Sequence, residues 1–229
     1  MKLLAVSPHL DDAAFSAGGT LAQRAAAGWE VTVVTCFTGN VARPQGFALA
    51  CQLDKGLSAD VDYMALRRQE DRDACDALGA TAIHLPFLEA PHRGYASAPE
   101  LFATRRPDDD MVARLAPALA TLLADYRPDM IFGPLCLGDH VDHHIVRDAL
   151  VSVAGARRLL LWEDWPYADR VTRARATPAS IEPLGAHGRA ARLAACLSYR
   201  TQLGFQFGGA DALRSRLAAI DVERFHAAG

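Results

Sequence analysis

Leu3-Leu4-Ala5-Val6-Ser7-Pro8-His9-Leu10-Asp11-Asp12 runs from an apolar stretch into a histidine and two adjacent acids. The unbroken apolar character of Leu3 to Ser7 predicts a strand buried on both faces, as in a parallel sheet covered by helices. Ligands of such sheets bind outside the carboxyl ends of the strands. His9, Asp11 and Asp12 therefore stand where chemistry is expected.

Outward from this strand, Val31–Phe37, Ala82–Phe87, Met130–Leu135 and Arg158–Trp162 read as further strands. Helical spacing covers Gly18–Gly28, Asp62–Leu78, Asp108–Tyr126 and His143–Val153. Two more helical stretches are expected in the tail, Gly188–Leu203 and Asp211–His226. Pro117 predicts a kink or a division of its helix. Thr38 to about Asp60 and Glu89–Pro107 read as irregular, and long loops in a compact domain are often functional. The alternation predicts an α/β fold, Rossmann-like, with a mainly parallel sheet and helices on both faces, formed by residues 1–229 as a single domain.

The composition excludes several classes. At 229 residues and 51% hydrophobic, the chain can bury one sizeable core. A formal net charge of -3 gives no reason to expect nucleic acid or an anionic membrane as partner. No window has the length of a membrane span, and the apolar start is too short for a signal-peptide core, so the chain is expected in the cytoplasm. Five cysteines, an odd number with no C-x-x-C pair, argue against a disulfide framework or a thiolate zinc site. The only lysines are Lys2 and Lys55, neither in a P-loop. A homo-oligomer is left open.

Directly after the fourth strand comes Gly138-Asp139-His140-Val141-Asp142-His143-His144. Strand ends distant in sequence can adjoin in a doubly wound sheet, which would gather several imidazoles and carboxylates in one crevice. Two histidines and a carboxylate with one open position are the pattern of catalytic zinc. Such a metal polarises a carbonyl and lowers the pKa of a bound water to about 7. A carboxylate that is not a ligand should take the proton. Asp11 and Asp12 can divide these tasks, because neighbouring side chains in a turn point apart. A further histidine should face the developing oxyanion.

With these motifs the chain resembles the N-acetylglucosaminyl-phosphatidylinositol deacetylase family, the PIG-L or LmbE-like group. The family's His-Pro-Asp-Asp-Glu and Gly-Gly-Thr-Leu are matched by His9-Leu10-Asp11-Asp12-Ala13 and Gly18-Gly19-Thr20-Leu21. Its Arg-x-x-Glu before Leu-Gly is matched by Arg67 to Glu70 and Leu78-Gly79, and its His-x-Asp-His by His140 to His143. The resemblance implies metal ligation by His9, Asp12 and His143, with one Zn2+ per chain and Fe2+ as the alternative ion. It implies Asp11 as general base, His140 as oxyanion support or proton donor to the leaving amine, and Arg67 as a substrate contact. The implied activity is removal of acetyl from a small N-acetylated, amino-sugar-like molecule. Alternatives are an amidase of a larger thiol- or sugar-conjugate amide and a non-catalytic Rossmann-like binding protein. Leu10 and Ala13 depart from the family's Pro and Glu, which leaves the substrate open.

Plainer roles exist for most of these residues. Acids such as Asp11-Asp12 favour a helix N-terminus. Asp142 can cap a helix beginning near His143 or orient a histidine from behind the metal. Asp139 and His144 read as solvated neighbours, and His84 as a packed core residue. Arg67 can instead pair with Glu70 on the helix surface. The Glu89–Tyr95 segment is either pocket wall or structural loop. Gly18-Gly19 does not form a dinucleotide-binding fingerprint.

Overall fold

The computed structural model describes residues 1–172 and 176–228. Among them, seven strands form one sheet: β1 (Lys2–Ser7), β2 (Glu30–Thr35), β3 (Thr81–His84), β4 (Met130–Pro134), β5 (Leu159–Trp162), β6 (Ser180–Pro183) and β7 (Val222–Ala227). Their order is β3-β2-β1-β4-β5-β7-β6. The first five positions are parallel, while β7 runs antiparallel to both β5 and β6. The Rossmann-like α/β expectation is met, with an antiparallel edge added by the tail.

Alternate residues of β1 feed opposite faces, as a two-residue period requires. Leu3 and Ala5 join one core cluster with α1 (Asp12–Ala26), α3 (Tyr63–Leu78), α7 (Ala186–Ser198) and α9 (Ala210–Ala218). Leu4 and Val6 join the other with α5 (Met111–Tyr126) and α6 (Val141–Ala154). Both faces are thus covered, which explains the continuous apolar reading of β1.

Several boundaries differ from expectation. α1 begins at Asp12, not Gly18, and Asp12 to Ala22 are all buried. Packing of that stretch outweighs the glycines' poor helix propensity. Pro117 neither ends nor divides α5, which runs through it. The first long loop contains α2 (Gly46–Leu53), and the second contains a 3₁₀ turn at Ala90–His92 and α4 (Ala98–Leu101). The expected helix over Asp211–His226 stops at Ala218, and Val222–Ala227 is a strand because β5 and β6 offer it ladder partners. The stretch Gly188–Leu203 divides at Tyr199 into α7 and α8 (Arg200–Phe207). No helix among the described residues is long and apolar enough to cross a membrane.

In this strand order, β1 lies between β2 and β4, whose crossovers run to opposite sides. The crevice outside the carboxyl ends of β1 and β4 is therefore the topological switch point.

Candidate metal centre and active site

The loops after β1 and β4 meet at that crevice. His9 Nδ1 lies 3.1 Å from Asp12 Oδ2, and His143 Nε2 lies 3.2 Å from the same oxygen. Ligand atoms of His9, Asp12 and His143 all fall within 4.8 Å of one another. A second grouping within the same limit is His9, His140 and Asp142.

The hydrogen bonds favour the first group as a metal cradle. His9 Nε2 is 3.0 Å from Asp142 Oδ2, so donation there leaves Nδ1 free to ligate. His143 Nδ1 is 2.8 Å from Asp164 Oδ1, which leaves Nε2 free. That Nε2 is buried and makes no hydrogen bond, despite its closeness to Asp12. Asp142, by contrast, is saturated: Oδ2 also accepts the Ala90 N–H at 3.0 Å, and Oδ1 accepts Arg93 Nη2 at 2.7 Å. The residues fit a divalent ion at His9, Asp12 and His143, with Asp142 and Asp164 orienting the imidazoles.

Electrostatics agree. Burial disfavours charge on His9 and His143, yet their acid partners outweigh it: Asp12 and Asp142 hold His9 well above its usual value, and Asp12 and Asp164 hold His143 at about 9. Burial likewise opposes ionisation of Asp12, but His143 and His9 keep it well below the usual carboxylate range. The cluster is built to take positive charge, which a dication supplies.

Asp11 faces the same cavity but stands outside the trio. Its Oδ2 accepts Arg67 Nη2 and Gln206 Nε2, each at 3.2 Å. Burial pushes its carboxyl up to about 7 against the pull of Arg67. His140 caps α6: its Nδ1 accepts the Asp142 N–H at 3.2 Å, so the proton of the neutral ring sits on Nε2. Burial and the neighbouring His9 keep that ring neutral, far below its usual pKa. His140, not Asp142, is thus the helix cap, and α6 begins at Val141.

Arg67 is not a surface partner of Glu70. It is buried, bonded to the Leu10 carbonyl and to Asp11, and joined to Glu89 Oε1 at 2.9 Å. Glu70 instead accepts both the N–H and the hydroxyl of Thr201 at the start of α8. His84, expected as packed core, is half-buried and 2.8 Å from Asp71. Asp139 and His144 pair with each other at 3.3 Å. Leu10 and Ala13 are buried in the core.

Four non-glycine residues among those described have positive φ, and three of them, Asp11, Cys136 and Asp139, lie in the two loops that form the site. Strained backbone of this kind persists where the surrounding structure holds it, often at functional sites.

His9, Asp11, Asp12, Arg67, His140 and Asp142 all line one cavity of about 430 Å3. The Glu89–Tyr95 segment contributes Glu89, Pro91 and His92 to its wall. Sequence reasoning missed Asp164, Gln206 and Tyr167. Asp164 had a signal, since it lies two residues past the end of the fifth strand; nothing local marked Gln206.

The chain is 32% identical over 170 residues to 2'-N-acetylparomamine deacetylase of Streptomyces fradiae, covering 73% of this chain and 58% of that protein. It spans a little over half the length of the curated relatives it matches. Among solved structures, A40926 pseudoaglycone deacetylase Dbv21 superposes with a TM-score of 0.82 at 30% identity, covering 98% of this chain and 96% of that one. Teicoplanin deacetylase Orf2, in a zinc-inhibited form, gives 0.83 at 28% identity with the same coverage. The family model PIG-L, described as GlcNAc-PI de-N-acetylase, matches residues 4–154 and so includes His9, Asp12 and His143 of the candidate cradle. With that match over most of its length, the chain belongs to the GlcNAc-PI de-N-acetylase family.

Proposed function

We propose that this protein is a metal-dependent N-deacetylase of small amino-sugar-like molecules. The observation that carries the reading is Asp11: a carboxylate in the same cavity as the His9, Asp12 and His143 cradle, committed to no ligand position, and poised at about 7. A general base works best with a pKa near the operating pH. The three relatives described above are named deacetylases, which supports the same reaction class.

A divalent ion held by His9, Asp12 and His143, one per chain and zinc by its donor set, would supply Lewis acidity toward the acetamide carbonyl and acidify a water. Asp11 takes the proton from the attacking water as its oxygen bonds to the carbonyl carbon. His140 donates its Nε2–H to the carbonyl oxygen as charge accumulates there. The C–N bond then breaks, the departing nitrogen receives the proton from Asp11, and acetate and a free amine remain. Arg67 and Gln206 both hold Asp11 by Oδ2, which leaves Oδ1 to take the proton. Arg67 also lines the cavity, where it would contact the substrate. Asp142 and Asp164 orient His9 and His143. A cavity of about 430 Å3 is of small-molecule size.

The same reading takes residues 1–229 as one domain acting in the cytoplasm on a small N-acetylated substrate, without nucleic acid. The test is a panel of N-acetylated amino-sugar conjugates assayed for acetate release by metal-stripped and zinc-reloaded protein. Release that stops on stripping and returns on reloading is expected. Fully loaded protein that frees no acetate from any member overturns the reading.

A further inference from the structure

Arg93 lies in the Glu89–Tyr95 segment, just past the 3₁₀ turn Ala90–His92 and outside the motifs that mark the site. Its side chain is only 8% exposed, and an arginine is seldom buried unless its charge is paired. The pairing here joins separate parts of the chain. Nη2 donates to Asp142 Oδ1 at 2.7 Å and to Asp109 Oδ2 at 3.0 Å, and Nη1 donates to the Leu88 carbonyl at 2.6 Å. The guanidinium lies over the Phe37 ring at 4.9 Å, and the centroids of the Phe37 and His9 rings are 6.0 Å apart.

Both acid partners of Arg93 are themselves fixed. Asp109 Oδ1 accepts the Met111 N–H at the start of α5, and its Oδ2 accepts the Tyr95 hydroxyl at 3.0 Å. Asp142, fully buried in the first turn of α6, shares Oδ2 between His9 Nε2 and the Ala90 N–H, each at 3.0 Å. With Oδ1 held by Arg93 and Oδ2 by Ala90, the carboxylate cannot turn without breaking a charge-assisted hydrogen bond. His9 Nε2 therefore keeps one acceptor in one place.

We propose that Arg93 is a positioning residue for the metal centre: by holding Asp142 it fixes the tautomer and tilt of His9, and so builds the cavity wall after β3 into the cradle. The proposal rests on the reading of His9, Asp12 and His143 as the ligands. Two effects of Arg93 oppose each other, because its charge repels a dication while its hydrogen bond orients a ligand. That charge is already shared between two carboxylates, Asp109 and Asp142, so the orienting effect dominates. Without the arginine, Asp142 Oδ1 is buried with no donor, and the carboxylate is released to turn away from His9. Losing a partner of this kind typically costs about 10–100-fold in metal affinity.

The test is zinc affinity, titrated against a competing chelator, in metal-stripped wild type, Arg93→Gln, Arg93→Lys and Asp109→Asn, each first checked for folding by circular dichroism. Arg93→Gln should bind zinc about 10–100-fold more weakly. Arg93→Lys keeps the charge but loses the planar fork that spans two acids, so it should recover only part of the loss. Asp109→Asn leaves Arg93 and Asp142 in place and should give a smaller loss in the same direction. Saturating zinc should restore most of the turnover of Arg93→Gln, which general damage to the fold would not allow. Wild-type affinity in folded Arg93→Gln overturns the assignment, and so does a tighter site, since the charge would then outweigh the orientation. If Arg93→Gln does not fold, Asp109→Asn decides, and wild-type affinity in it overturns the assignment equally. Wild-type protein that takes up no zinc removes the cradle reading itself, which sets that failure apart from a failure of Arg93 alone.

Discussion

His143 Nδ1 and Asp164 Oδ1 lie 2.8 Å apart, a contact between the first turn of α6 and the segment after β5, buried on both sides. The acid fixes which imidazole nitrogen carries the proton and aims Nε2 at Asp12. Asp164→Asn should therefore lower metal affinity roughly 10- to 100-fold, the usual cost of losing such a partner. Titration against a competing chelator measures it. Unchanged affinity would mean that Asp164 only holds the Leu137 N–H, its other partner.

Asp11→Asn should keep the metal and the fold and lose most turnover, since an amide cannot accept the water's proton. A positioned base contributes about 10²–10⁴-fold. Arg67 pulls the Asp11 pKa down against burial. A base works only when deprotonated, so activity falls as pH drops through its pKa. Arg67→Met raises that pKa and should move the acid limb of the kcat/KM profile to higher pH. A limb that stays in place would remove Asp11 from the role.

The two histidines three residues apart should separate by metal content. His143→Ala should lose metal and activity together, with partial rescue by added zinc. His140→Ala should retain metal and lose roughly 10²–10³-fold in kcat without rescue. Their roles are reversed if His140→Ala is the variant that loses the ion.

Gly138 has φ 92°, and its missing Cβ is where Tyr167 packs. Gly138→Ala imposes both a left-handed backbone penalty and a clash with the Cβ of Tyr167, 2.7 Å from where the new methyl would lie. Destabilisation of about 1–3 kcal/mol is expected, read as a lowered Tm or denaturant midpoint. Wild-type stability with full activity would show that the loop after β4 yields freely.

The sequence determined what depends on local order. The apolar run before His9 and the strand-helix alternation carry the parallel α/β sheet, because burial on both faces writes a continuous apolar strand. The same alternation places His9 to Asp12 and His140 to His143 at strand ends, and the Asp-Asp and His-x-Asp-His spacings supply the ligand types. The misread tail shows the limit: Val222-Glu223-Arg224-Phe225-His226 has no strong local preference, and β5 and β6 decide its conformation.

Tertiary structure alone decided which side chains serve the site from a distance. Arg67 and Glu70 sit at helical pairing distance, yet Arg67 turns to Asp11 and Glu89 while Glu70 turns to Thr201. Gln206 reaches Asp11 across 195 residues of chain, and Asp164 reaches His143 from the segment after β5. Such pairings follow from which groups burial leaves without water, because each must then find its partner wherever the packed elements bring one. Sequence spacing records neighbours along one helix or strand; the partner of a buried charge is set by the sheet order that stacks β1, β4 and β5 side by side.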